Sequence, residues 1–218
     1  MEWDLIGDWP QYVMMRETHK MALRRTTRRT KPAFLRRAVD RNYREWLVAE
    51  DAARMRGRIG RLRFLVKEYG PANGVQLFHG ELAVRFFEEA RWCFVNGQYI
   101  ACVLLCQCFL ENSLRSLLAV AGHSYGVCDK WLERAGFYEL IEKACECGII
   151  DGKDARNFHR VREMRVEYVH ARPAFSNRRI ACRIIKENKD VVKLAEQDAR
   201  RAVKVMLEIN QELRHRVV

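Results

Sequence analysis

Two residues have the types and the separation to act together on a phosphodiester. They are Arg165 and His170, within Arg165-Val166-Glu167-Tyr168-Val169-His170, with Arg162 about one turn earlier. An imidazole, with an ordinary pKa of about 6.5, takes up and releases protons near neutrality. A guanidinium stays charged and offers phosphate oxygens a planar fork of donors. When the substrate brings its own nucleophile, as RNA does in its 2′-hydroxyl, these two groups suffice for cleavage without a metal. Geometry sets a condition. On an ideal helix, residues five apart point about 140° away from each other. Pro173 predicts that the helix ends near His170, which frees the imidazole to turn. A two-fold dimer could equally gather both residues from two chains.

A second polar face holds Gln107, Glu111 and Arg115. By its i,i+4 spacing Glu111 is first an ion-pair partner for Arg115. His159 lies three helical turns before His170 and is expected on the surface. The chain shows no Walker loop, GxGxxG, HExxH or nucleophile elbow, and no cofactor is implied.

A third group of residues could hold a polyanion. Of the net charge of +12, residues 1–70 carry 17 Lys/Arg against 9 Asp/Glu, a net of +8. The densest run is Arg24, Arg25, Arg28, Arg29 and Lys31, followed by Arg36 and Arg37. Without a partner such a run repels itself, and nucleic acid is its simplest counterpart. Gly57-Arg58-Ile59-Gly60 matches the GXXG pattern of KH loops, but its Arg-rich helical flanks do not supply the strands a KH fold needs.

The elements that must position these residues all read as helices. With four prolines and twelve glycines the chain is sparsely punctuated. A helical pattern runs over 34–69, expected to break near Gly57 and Gly60. The turn-rich 70–74 then divides a basic N-terminal extension, 1–70, from a second region, 71–218. In the latter, helices are expected over 77–96 (capped by Gly97), 99–121, 130–147 (ended by Gly148), and from Asp151 or Asp154 through the 160s. Apolar residues from Ile184 to Leu213 recur every 3.6 positions, with Asn188 as the exception, and predict one long C-terminal helix. The eight cysteines lack zinc-site spacing, and most are expected as small core residues, with no metal site. The acidic start, Met1-Glu2-Trp3-Asp4, is unlike a signal peptide. The apolar run over 99–110 is short for a membrane span. A cytoplasmic location without membrane association is therefore expected.

The helical pair over 77–122, the Asn96-Gly97-Gln98-Tyr99 hinge, Phe109 through Arg115, and 144–170 ending in Arg-x4-His together resemble the HEPN superfamily. The resemblance covers roughly 77–215. It implies an all-α bundle of four to five helices with a long C-terminal helix, here preceded by the basic helical extension. It also implies a homodimer that cleaves RNA without a metal, as toxin and antiviral ribonucleases do, with Arg165 and His170 as the motif residues and Glu111, at the polar position of the second helix, as a weaker catalytic candidate. A cognate antitoxin or regulatory protein would be a further partner. Active members usually carry a polar residue after the arginine, where this chain has Val166. The alternative is a non-catalytic HEPN-like module that binds RNA or protein through the basic N-terminal region. A helical adaptor pairing through its C-terminal helix is a third reading.

Overall fold

The computed structural model describes residues 33–69, 80–121, 125–170 and 180–216. Among them there are eight helices and no strand. They are α1 Ala33–Tyr69, α2 Gly80–Asn96, α3 Tyr99–Ala121, α4 Asp129–Arg134, α5 Phe137–Glu146, α6 Gly152–Val169, α7 Ile180–Glu187 and α8 Val191–Arg216. The all-α class expected from the sequence is observed. The chain divides into two compact units, Met1–Ala53 and Arg54–Val218. The expected boundary at 70–74 lies outside the described residues. In the first unit the described residues are helical, and Tyr43, Trp46, Leu47 and Val48 are exposed.

The second unit is organised around α3, which packs against α2, α4, α5, α6 and α8. By length and composition α3 is apolar enough to cross a membrane. In this fold it is the central core helix, burying Cys102, Val103, Cys106, Phe109, Leu110, Leu114 and Leu118. Phe109 meets Phe87 of α2 at 5.4 Å between ring centroids, and Phe137 of α5 stacks on Phe158 of α6 at 6.3 Å. Such burial of large side chains is the main stabilising term of the bundle.

The helix expected to break at Gly57 and Gly60 does not. A glycine inside a helix costs only about 1 kcal/mol relative to alanine, and Gly57 has a use. A Cβ there would lie 3.1 Å from the Arg61 guanidinium. The space lets Arg61 donate to the Val95 carbonyl at 2.9 Å and to the Tyr99 hydroxyl at 3.1 Å. Phe64 and buried Leu65 add apolar contacts on the same side, with Phe64 5.5 Å from Phe94.

Two further expectations are corrected. The single helix over 130–147 is two, because Ala135 and Gly136 both leave the helical region; Gly136 instead caps α5, its N–H donating to Glu139 at 2.7 Å. The long helix from Ile184 is also two. Asn188 adopts φ +50°, the left-handed conformation asparagine tolerates, and Asp190 then accepts from the Lys193 N–H at 2.8 Å to start α8. The exception in the apolar stripe was the break. Gly97 and Gly148 close α2 and α5 at positive φ, as expected of C-terminal glycines. The cysteines are more varied than expected: Cys102, Cys106 and Cys147 are buried, whereas Cys128 and Cys145 are exposed.

The junction between α7 and α8 depends on carboxylates. The Lys189 ammonium holds Glu187 below the usual carboxylate range, and the Lys193 backbone N–H does the same for Asp190. Depressed folded values mean that their contribution is present above the unfolded pKa and lost as pH falls through the folded one. Protection factors at the amides of 184–194 should therefore fall on acidification below about pH 4, before those of the α3 amides respond. A uniform fall across the second unit would contradict this.

Candidate functional site

The last two turns of α6 carry the Arg-x4-His pair. Asp151 starts this helix by accepting from the Lys153 and Asp154 N–H groups, both at 2.8 Å. Replacing an N-cap aspartate costs about 1 kcal/mol, so Asp151→Ala should lower the unfolding free energy by that amount in a denaturant titration. Ala155, Phe158, Val161 and Met164 face the core. Arg165 follows Phe158 by seven residues and Val161 by four, so it continues this inward stripe. An arginine stands where the pattern calls for an apolar side chain, and it is half-buried.

The contact of α6 with α3 brings Arg165 near Cys108, whose half-buried thiol it pulls downward. Burial and the Glu111 charge push that thiol up more strongly. Cys108 thus senses both Arg165 and Glu111. The carboxylate is not directed to Arg165, however. It accepts from Arg115 at 3.2 Å, and Arg115 also donates to the Ala135 carbonyl at 3.1 Å. Gln107, on the same helix, is buried with its Oε1 unsatisfied among the described residues. Arg165 has no ion pair or hydrogen bond among the described residues. Four other half-buried arginines, Arg61, Arg115, Arg183 and Arg200, each donate to an oxygen, whereas the buried Arg162 Nε also lacks a hydrogen-bond partner among the described residues.

His170 caps α6. Its N–H still donates to the Val166 carbonyl at 3.2 Å, but φ −104° and ψ 125° turn the chain into an extended course. The helix therefore ends where Pro173 predicted. The imidazole is exposed and, among the described residues, unpaired. Along the axis it lies about 7.5 Å beyond Arg165, and no direct contact joins the two side chains.

Sequence reasoning did not anticipate the polar network that clamps this end of α6. Arg183 of α7 grips Asp198 of α8 with both terminal nitrogens, at 2.7 and 2.9 Å, and also donates to Glu167 at 2.9 Å. Tyr168 donates to the same Asp198 at 2.8 Å. Asp198 is fully buried, and burial pushes the Tyr168 phenol far above its usual range. Glu167 and Tyr168 lie between the motif residues, so the network holds the turn carrying Arg165 and His170. Asp198 stands three residues after Ala195 on the inner side of α8. That acidic residue amid an apolar stripe was the available signal, though it does not name its partners.

His159 lies at the surface, partly covered, 2.9 Å from Glu142 and with its ring 5.2 Å from that of Tyr138. Tyr138 also carries Arg162 on its face at 5.3 Å. Tyr138 and Glu142 line a cleft of about 500 Å³ together with Trp131 and Lys143. Neither Arg165 nor His170 borders it.

Of the basic cluster, Arg24, Arg25, Arg28, Arg29 and Lys31 lie outside the described residues. Arg36 and Arg37 fall in the opening turns of α1. Compared with family models, curated proteins and solved structures, the chain matches none of them.

Proposed function

We propose that the chain is a metal-independent RNA endonuclease of HEPN type, acting as a homodimer in the manner of toxin or antiviral effectors in the cytoplasm. The observation that carries this reading is the state of Arg165. A half-buried guanidinium on a core-facing stripe, with no ion pair or hydrogen bond among the described residues, is suited to receive an anion. A substrate phosphate would be that anion, and an exposed imidazole stands at the end of the same helix. Arg165 would neutralise the scissile phosphate. His170 would act on the 2′-hydroxyl or the leaving 5′-oxygen, and a second protomer would supply the complementary proton-transfer group. Glu111, already paired with Arg115, acts at most through that pair.

The test is substrate chemistry. Single-stranded RNA should be cut in EDTA, and a single 2′-deoxy substitution at the cleavage position should block it. Cutting of that deoxy substrate would overturn the mechanism.

A non-catalytic RNA-binding module is the second reading, favoured by apolar Val166 beside Arg165. It would use the basic run from Arg24 to Arg37 for phosphate neutralisation. Its binding would then weaken steeply with salt and be indifferent to His170→Ala.

A further inference from the structure

Met55, Ile59, Leu62 and Val66 of α1 are 49%, 42%, 49% and 44% exposed. Their spacings of four, three and four put them on one line along the helix, within an arc of about 60°. Arg61, Phe64 and Leu65, set about 90° to 170° round the helix from this line, anchor the same stretch to the bundle. The four apolar side chains therefore point outward by construction. We propose that this line is a docking seam for a single amphipathic helix with acidic flanks, presented by another protein.

The width of the seam selects a helix. An a/d-type line this narrow is the geometry of helix pairing, whereas a helix lying on lipid needs a broad apolar face. A polyanion such as RNA has no use for four aligned aliphatic groups. The flanks select the sign of the partner. Arg56, Arg63 and Lys67 border the seam on its free side, all exposed and with no ion pair among the described residues. Arg54 and Arg58, on the other border, already interact within the chain. A partner with glutamates or aspartates along the free edge would complement Arg56, Arg63 and Lys67. A second copy of this chain would not. Overlapping seams set Arg58 against Arg63 in a parallel pair and Arg56 against Arg63 in an antiparallel one.

The inference does not depend on the ribonuclease reading. Its test uses the full-length protein and two synthetic three-heptad peptides with the same Leu/Ile seam, one flanked by glutamates and one by lysines. Fluorescence anisotropy should show the glutamate peptide binding at least about tenfold more tightly. Ile59→Glu with Leu62→Glu should weaken that binding by more than about tenfold. Circular dichroism and melting should not change, since both side chains lie outside the core. Equal affinity for the two peptides, or none for the glutamate peptide, would overturn the proposal. So would a wild-type dimer in light scattering that the double substitution dissolves, because the seam would then be covered by a second copy. Preferential partition onto phosphatidylserine vesicles, lost in the double variant, would likewise reassign the face to a lipid surface.

Discussion

Replacing His170 with alanine is expected to lower the rate of RNA cleavage by about 10²- to 10⁴-fold, the usual range for losing a positioned acid–base group. The fold should not notice. The imidazole is exposed and makes no hydrogen bond among the described residues; the backbone N–H donates to the Val166 carbonyl. Far-UV circular dichroism and the melting temperature should match the wild type. Arg165→Ala should cost about 10²- to 10³-fold by removing charge stabilisation at the phosphate. Because Arg165 is half-buried with no counter-ion among the described residues, its removal should leave stability unchanged or raise it slightly. Arg165→Lys should rescue little, since an ammonium lacks the planar fork. Wild-type cleavage by His170→Ala would remove this residue from the mechanism. A large loss of stability in Arg165→Ala would show that the arginine is structural.

The second large effect concerns Asp198. Asp198→Ala is expected to destabilise the protein by about 3–5 kcal/mol, the cost of leaving a buried charge without its partner. For a chain of this size that is a fall in Tm of roughly 10 °C. Here Arg183 would lose two of its charge-assisted bonds and Tyr168 its acceptor. Asp198→Leu combined with Arg183→Met should recover much of the loss, because apolar replacement of a whole buried pair is far less costly than breaking it. A double variant as unstable as Asp198→Ala would mean that Glu167 and Glu187 need Arg183 independently. Cleavage should fall in Asp198→Ala even below its melting range, since the clamp steadies the turn between Arg165 and His170.

The helices were legible where periodicity and terminators agreed. Tyr99 to Ala121 was readable to the residue because Gly97 ends the helix before it, and of the two N-cap candidates, Asp151 and Asp154, the first starts α6. Breaks inside strong patterns were harder to see. Asn188 interrupts an apolar stripe that continues on the same phase beyond it, so the turn is marked by one polar residue only. At Gly57 the opposite error arose, since local propensity gives no hint that Arg61 needs the space. The site was legible only in part. Pro173 correctly placed the end of α6 at His170, and the spacing of Glu111 and Arg115 foretold their ion pair. The Arg183 clamp joins three helices, and no local spacing encodes that meeting. The unpaired state of Arg165 likewise depends on what α3 presents to it.

In the proposed mechanism RNA supplies its own nucleophile while Arg165 and His170 handle charge and protons. The most direct measurement is the chemistry of the ends left when purified protein cuts a labelled single-stranded RNA in excess EDTA. The mechanism predicts a 2′,3′-cyclic phosphate, or the 3′-phosphate it opens to, opposite a 5′-hydroxyl. A 5′-phosphate with a 3′-hydroxyl, or no cutting until a divalent metal is added, would contradict it.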